Sequence, residues 1–178
     1  MLYRSVLLNL YGGPCSGKSV TAANTFAALK IRGISSELIT EYVKDWAWQQ
    51  RQIGPLDQFY LFGKQLHRES KIYSKVHTIV TDSPIGVSAY YANRYAAPEI
   101  GAAIKVAHQA VRAQKLTRCI DVWLNRVGPY QQEGRYETEE EALDVDCKMQ
   151  TFLTEELGVT LHTVDAGDIE TLIKLATA

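Results

Sequence analysis

Short apolar runs alternate with longer amphipathic segments along the whole chain. The apolar runs, rich in β-branched and aromatic residues, lie at 4–11, 35–42, 77–84, 118–126 and 159–166. Segments with a helical spacing of apolar residues follow them, at 19–33, 43–52, 56–75, 86–95, 98–116, 138–158 and 168–178. This alternation predicts an α/β domain with a mostly parallel sheet. Ligands bind such sheets outside the carboxyl ends of the strands, so we expect the chemistry there.

Several of the predicted helices carry recognisable end signals. Gly33 follows the first helix at the position that favours glycine, and Gly54 with Pro55 ends the second. Thr138 and Asp168 precede the last two helices as N-caps, and acidic residues fill the first turn after Thr138. The helix at 56–75 is expected to carry along one face Leu56, Phe59, Phe62 or Gly63, and Leu66.

The composition is that of an ordinary globular protein. No repeat, low-complexity tract or linker divides the 178 residues, so we predict a single domain over 1–178 that is long enough to bury a core. Apolar residues make up 46% of the chain, and the formal net charge is −1. That charge gives no overall attraction to nucleic acid, although a local basic face could still form.

The cysteines and the N-terminal segment indicate the cellular compartment of the protein. Cys15, Cys119 and Cys147 form no CxxC pair and are odd in number, which indicates reduced thiols. The N-terminus lacks a signal-peptide cleavage pattern, and no apolar run approaches membrane-spanning length. We therefore expect a soluble, cytoplasmic protein without a membrane partner, whose oligomeric state is unknown.

The first predicted strand runs directly into a glycine-rich turn, LNLYGGPCSGKSV. Gly12, Gly17, Lys18 and Ser19 match the phosphate-binding motif G-x-x-x-x-G-K-[ST]. Glycines let backbone N–H groups approach phosphate oxygens, and the N-terminus of the next helix adds partial positive charge. Lys18 is expected to reach the β- and γ-phosphates, and Ser19 to ligate Mg²⁺. The residues expected to bind the nucleotide are Gly12, Gly13, Pro14, Cys15, Ser16, Gly17, Lys18, Ser19 and Val20.

Carboxylates follow two other predicted strands. Asp82 ends the apolar run TIVTD, as expected for the acidic residue that holds Mg²⁺ through water, although an Asp that begins a turn before Pro84 would look the same. Glu41 ends the second strand, and Asp45 lies four residues further on. Either carboxylate could accept the proton of an attacking hydroxyl group, and the sequence leaves open which one does.

A polar loop, NRVGPYQQEGRY, follows the fourth predicted strand. Its Arg126 and Arg135 could close over a triphosphate and neutralise charge on the transferring group. Glycine and proline punctuate the segment, whose size suits a short lid at about 126–137. An ordinary surface loop with two arginines is the alternative.

Aromatic and basic side chains concentrate in the middle of the chain. Six aromatic residues either stack on a nucleobase or belong to the core: Trp46, Trp48, Tyr60, Tyr90, Tyr91 and Tyr95. Arg94 is a candidate for binding an acceptor phosphate or base. A basic strip for DNA, or merely a solvated helix face, could be formed by Arg94, Lys105, Arg112, Lys115 and Arg118.

Three classes of P-loop protein compete. A GTPase should carry the guanine-reading motif N-K-x-D after the fourth strand, where this chain reads WLNRVGPY. A mechanical or regulatory ATPase normally needs more chain for an oligomeric motor lid. A kinase fits the length, the phosphate loop, the acidic positions and the arginine-bearing loop.

The segments GGPCSGKS, ITEYVKDWA, IVTDSP and NRVGPYQQEGRY together resemble small P-loop kinases related to ribosylnicotinamide kinase, over residues 8–137. Bacteriophage proteins of this kind are often labelled AAA-type ATPases, and some are similar to kinases that phosphorylate 5-hydroxymethyluracil in DNA. The location expected of a phage-encoded member is the host cytoplasm. The resemblance implies a three-layer P-loop sandwich with strand order 2-3-1-4-5, helices on both faces, a short lid, and ATP with Mg²⁺ as cofactors.

The resemblance also implies residue roles. Lys18 and Ser19 would grip phosphate and metal, and Asp82 would support the metal. Either Glu41 or Asp45 would face the acceptor, whereas the roles of the two loop arginines are not fixed by the resemblance.

These features predict an ATP-dependent kinase. It would transfer the γ-phosphoryl group to a hydroxyl of a nucleoside, a nucleotide or a modified base in DNA such as 5-hydroxymethyluracil. The alternative is a nucleotide-dependent ATPase or switch module that binds a partner without phosphorylating an acceptor.

Overall fold

The computed structural model describes residues 4–131, 133 and 138–178. Its strands are β1 (Val6–Tyr11), β2 (Ser36–Ile39), β3 (Thr78–Thr81), β4 (Arg118–Asn125) and β5 (Leu161–Asp165). Its helices are α1 (Lys18–Ile31), α2 (Lys44–Trp48), α3 (Asp57–Ser70), α4 (Ile85–Tyr95), α5 (Pro98–Ala113), α6 (Glu139–Thr151) and α7 (Ile169–Thr177). A π-helical turn, Phe152–Glu156, extends α6. Each strand and helix predicted from the hydrophobic pattern is present, with ends shifted by a few residues.

The strands form one parallel sheet with the order β2-β3-β1-β4-β5. β1 lies at its centre, with Val6 opposite Thr78 of β3 on one side and Arg118 of β4 on the other. Every residue of β1 is buried, which is typical of a strand covered by helices on both faces. The expected α/β architecture and its strand order are confirmed.

Alternate residues of β1 belong to two separate cores. Leu8 and Leu10 pack in a cluster with residues of α1 and α7, including Leu29 and Leu172. Tyr11 belongs to the opposite cluster, which α3, α4, α5 and α6 build with the π-helical turn. The side chains of a strand alternate between the two faces of its sheet, so one six-residue strand serves both layers.

The predicted helix ends are confirmed where a local hydrogen bond defines them. Gly33 has a φ of 75° just after the C-terminus of α1. Thr138 accepts a hydrogen bond from the Glu141 N–H while the Glu141 carboxylate accepts one from the Thr138 N–H, which is a complete capping box. Asp168 caps α7 by accepting from the Thr171 N–H at 3.1 Å.

The apolar face expected on α3 is confirmed at Phe62 and Leu66, which pack in or against the core, and is wrong at Leu56 and Phe59. Leu56, just before the helix, is 75% exposed, and Phe59 is 47% exposed. The buried residues of α3 are Gln58, Leu61, Phe62, Gln65 and Glu69. Leu61 and Phe62 supply the apolar contacts, and the three polar side chains take the rest of the inward face. In the part of the chain that the structure describes, every helix is too short or too polar to cross a lipid bilayer.

Candidate functional site

A cavity of about 690 Å³ opens at the carboxyl ends of β1, β2 and β3. Its walls come from the loop after β1, from residues 41–53, and from α3, α4 and α6. This volume lies in the range of small-molecule sites. The loop, its lysine and a carboxylate after β2 thus share one solvent-accessible space.

The loop between β1 and α1 adopts the conformation that its glycines permit. Gly12 and Gly17 have φ values of 150° and 85°, and Cys15 also lies in the left-handed region with a φ of 60°. The Lys18 ammonium group donates to the carbonyl oxygens of Gly12 at 2.7 Å and Gly13 at 2.8 Å. The first turn of α1 contains no acidic residue, so its positive end can attract an anion.

Arg126 braces this loop. Its Nη1 donates to the Pro14 carbonyl oxygen at 2.6 Å, and its Nη2 donates to Asp146 Oδ2 at 2.8 Å. Asp146 Oδ1 accepts from the Gly13 N–H at 2.7 Å. The guanidinium group was expected to close over a triphosphate from a lid; in this structure it binds the Pro14 carbonyl oxygen and the Asp146 carboxylate.

Asp146 was missed by the sequence reasoning. It lies on α6, 133 positions from Gly13, and no motif or spacing connects the two. A Cβ added to Gly13 would lie 2.2 Å from Asp146 Oδ1, so the glycine also makes room for this carboxylate. Arg135 lies outside the described residues. Just before the undescribed part, the Gln131 N–H donates to Cys15 Sγ at 3.3 Å.

The residues expected to hold Mg²⁺ lie in the first turn of α1 and directly after β3. Ser19 lines the cavity, and Asp82, which is 4% exposed, directly precedes the cavity-lining Ser83. Asp82 Oδ1 and Ser16 Oγ are buried and make no hydrogen bond in the described part of the chain. The orphaned Asp82 carboxylate oxygen fits Mg²⁺, which takes hard oxygen ligands and completes its shell with phosphates and water. The described residues form no cluster of three or more His, Cys, Asp or Glu side chains that could hold a metal by itself.

The two candidate bases are placed differently. Glu41 is half-buried and lines the same cavity as the phosphate loop. Asp45 is exposed on α2 and is not part of the cavity wall. The structure therefore brings Glu41 together with Lys18 and Ser19, and leaves Asp45 outside.

The six aromatic candidates fall into three groups: those that line the cavity, those that are buried elsewhere and those that are exposed. Tyr91 and Tyr95 line the cavity, with their rings stacked at a centroid distance of 5.9 Å. Trp46 and Tyr90 are buried in the protein, whereas Trp48 and Tyr60 are exposed.

Several cations of the possible basic strip form ion pairs in the structure. Arg94 pairs with Asp144 and donates to the hydroxyl groups of Tyr90 and Tyr95. Arg112 makes a two-pronged ion pair with the buried Asp121, at 3.0 and 2.7 Å. Lys105 pairs with Glu156. Three of the five basic side chains therefore form ion pairs with carboxylates, and the carboxylate that pairs with Arg112 is buried.

Three further cavity residues come from α3: Gln58, Leu61 and Gln65. The sequence reasoning missed them because it considered only the apolar residues of this helix, Leu56, Phe59, Phe62 or Gly63, and Leu66, as its inward face. Their i, i+3, i+7 spacing was the available signal, but two of the three residues are polar.

A family model described as an AAA domain matches residues 7–171 of the chain. Among curated proteins, none matches the chain in sequence. Three solved structures share its fold. NadR in complex with NR superposes with a TM-score of 0.70 at 15% identity, over 99% of this chain and 52% of that one. The chain thus spans about half the length of NadR.

Deoxyadenosine kinase from M. mycoides with bound dATP gives a TM-score of 0.57 at 17% identity, over 96% of both chains. The APS kinase CysC from Mycobacterium tuberculosis, in complex with AMPPNP and APS, gives 0.55 at 13% identity, over 98% of this chain and 99% of that one. These likenesses show that the chain has the fold of P-loop kinases.

Proposed function

This chain belongs to the AAA domain family, and we propose that it is an ATP-dependent phosphotransferase that acts on a nucleoside, a nucleotide or a base carried in DNA. The observation that carries the proposal is the single cavity shared by the phosphate loop and Glu41. A nucleotide-dependent switch module needs only the phosphate loop, with which it binds its nucleotide. A carboxylate facing the same space is what transfer to a hydroxyl group requires.

The loop supplies the nucleotide end of the site. Backbone N–H groups at the start of α1 would bind phosphate oxygens, and Lys18 would move its ammonium group from the Gly12 and Gly13 carbonyl oxygens to the phosphates. Arg126 and Asp146 keep the loop in shape by fixing Gly13 and Pro14. These groups are positioned before the nucleotide binds, which lowers the entropy lost on binding.

Ser19 and Asp82 would hold the metal. When bound, Mg²⁺ neutralises phosphate charge and orients the phosphates. Burial of Asp82 Oδ1 without a hydrogen bond supports this role, because an orphaned charged oxygen is costly unless it has a partner in the working protein.

Glu41 would act on the acceptor. In the proposed step the acceptor oxygen bonds to the γ-phosphorus of ATP, and the bond from that phosphorus to the β–γ bridging oxygen breaks. The hydroxyl proton passes to the Glu41 carboxylate, and ADP leaves with the bridging oxygen. Deoxyadenosine kinase, with the same fold, is by its name a nucleoside kinase, which supports an acceptor of this chemical kind.

The test is transfer of labelled γ-phosphate from ATP and Mg²⁺ to a panel of acceptors. The panel holds ribosylnicotinamide, deoxynucleosides, deoxynucleoside monophosphates, DNA and RNA ends, and DNA containing 5-hydroxymethyluracil. Label on one class would identify the acceptor. Tight ATP binding without label on any acceptor would contradict the proposal and favour the switch module.

Variants assign the roles within this assay. We expect Lys18→Ala to abolish transfer in a protein that still folds, since it removes the cation for the phosphates. Glu41→Gln should lower kcat by about 10²- to 10⁴-fold, the usual contribution of a general base. Asp45→Asn, a matched change outside the cavity, should leave kcat unaltered. Loss of activity in Asp45→Asn but not in Glu41→Gln would overturn the assignment of the base.

A further inference from the structure

Gln65 is a polar side chain buried in the wall of the cavity without a hydrogen-bond partner. It is 2% exposed, and it lines the cavity from α3 together with Gln58 and Leu61. Neither its Oε1 nor its Nε2 atom makes a hydrogen bond in the described structure. A buried primary amide offers two donors and an acceptor, and leaving all of them unsatisfied is less favourable than burying a leucine of similar size.

The neighbouring Glu69 does not satisfy this amide. Glu69 lies one turn further along α3 and is fully buried, and its Oε2 accepts from the Tyr73 hydroxyl group at 3.3 Å. A hydrogen-bond interaction with Gln65 helps to favour the charged form of Glu69, but its geometry falls outside the normal range, so the Gln65 amide keeps most of its hydrogen-bonding capacity. The Gln65 amide is therefore available to a molecule in the cavity.

The position of Gln65 assigns it to the acceptor end. The phosphate loop is tied to α6 and to the residue after β4, through Asp146 and Arg126. α3 instead packs on α4 and α5, so it forms a different wall. That wall also contains apolar surface from Leu61, Val87 and Tyr91, against which a flat ring can lie.

We propose that Gln65 recognises the phosphoryl acceptor by two hydrogen bonds to the edge of a nucleobase. Oε1 accepts from a ring or exocyclic N–H, and Nε2 donates to the adjacent carbonyl oxygen or ring nitrogen. This inference rests on the proposed function and narrows it to acceptors that carry a base. A free nucleoside and a base within single-stranded DNA share this edge, so both sources are compared in the test.

The test compares Gln65→Leu, Gln65→Glu and a control, Gln150→Leu, which alters an exposed glutamine on α6. For Gln65→Leu we expect KM for the preferred acceptor to rise about 10- to 100-fold, with KM for ATP unchanged. Its Tm should stay equal or rise, because an unsatisfied amide is replaced by an apolar group. Gln65→Glu presents two hydrogen-bond acceptors, so preference should shift towards guanine, whose edge offers two adjacent donors.

Calorimetric binding of deoxynucleosides and of short single-stranded oligonucleotides provides a second readout that needs no turnover. Wild-type binding that Gln65→Leu abolishes would uphold the inference even if no phosphate were transferred, in which case only the proposed function fails. Two results would overturn it: unchanged acceptor binding in Gln65→Leu, or a lower Tm with equal weakening of ATP and acceptor. Absence of any nucleoside or oligonucleotide binding by the wild-type protein would also overturn it.

Discussion

Glu69 is a buried acid whose ionisation opposes folding. Burial raises its pKa from the usual 4.5 to about 8, although the Tyr73 hydroxyl group and Arg112 favour the charged form. The unfolded chain releases this proton above pH 4.5, whereas the folded protein keeps it until about pH 8. Stability should therefore fall as the pH rises through that interval, because the unfolded state binds fewer protons.

Glu69→Gln removes this titration while keeping the shape of the side chain. We expect the variant and the wild-type protein to have similar free energies of unfolding at pH 4.5. At pH 8 the variant should be more stable by about 4 kcal/mol, since it no longer has to keep a carboxyl group protonated. Urea unfolding at both values measures the difference, and Glu99→Gln, an exposed change on α5, serves as the control. An equal effect at both values would contradict the buried, neutral state of Glu69.

His108 creates the opposite slope in the same interior. Burial, and then the positive charge of Arg112, lowers its pKa from 6.5 to about 4. The unfolded chain gains a proton below pH 6.5 that the folded protein refuses until about pH 4, so stability falls as the pH drops through this range. Comparison of Glu69→Gln with the wild-type protein cancels this contribution, because both proteins contain His108.

At the scale of elements, the phosphate loop is held by one residue of α6 and one residue that follows β4. Asp146 of α6 binds the Gly13 N–H and the Arg126 guanidinium group, and Arg126 binds the Pro14 carbonyl oxygen. Arg126 and Asp146 each take part in two of the three contacts, so removing either one eliminates two contacts and leaves the third without the ion pair that orients it.

Arg126→Gln and Asp146→Ala test this brace. Each should raise KM for ATP by about 10-fold, and the double variant should be no worse than either single one, because the contacts act as a unit. Steady-state kinetics with varied ATP provides the measurement, and Glu140→Ala on the exposed side of α6 is the control. If Arg126 instead neutralised the transferring phosphate, Arg126→Gln alone would lower kcat and the two effects would add.

The contact between α4 and α5 depends on a glycine. A Cβ at Gly101 would lie 2.9 Å from Asn93 Cα and 3.3 Å from the Ala92 carbonyl oxygen, and backbone atoms cannot move aside cheaply. We expect Gly101→Ala to lower the free energy of unfolding by about 1–3 kcal/mol. Gly63→Ala on α3 is the matched change, since nothing lies within 4 Å of its added Cβ. It should stabilise the protein by about 0.5–1 kcal/mol through helix propensity. Equal urea midpoints for the two variants would contradict the close approach of α4 and α5.

On the scale of the whole molecule, the cavity lies where the strand order reverses. The connection that leaves β1 leads to β2 at one edge of the sheet, whereas the connection that leaves β3 crosses to β4 on the other side, so a crevice opens at the carboxyl ends of β1 and β3. The phosphate loop, Asp82 and Glu41 each follow a strand that ends at this crevice. The sheet topology therefore brings together groups from three segments that lie far apart in the sequence.

Much of this molecule was predictable because the relevant interactions are local. The strand and helix pattern, the cap at Thr138 and the phosphate loop each depend on residues within a few positions of one another, so a periodicity or a short motif records them. The alternation predicted a mostly parallel sheet, whereas the order of its strands was implied by the resemblance to a kinase family.

The remaining features depend on residues that meet only after folding. The sequence left Glu41 and Asp45 equivalent, and the path of the chain after β2 placed only Glu41 at the cavity. The brace joins Gly13 to Asp146 across 133 positions, and Pro14 to Arg126 across 112, and such pairs leave no periodic trace. The polar residues on the inward face of α3 escaped prediction for a related reason. Gln65 is buried against a cavity rather than an apolar core, and a polar residue in that setting looks, in sequence, like part of an exposed surface.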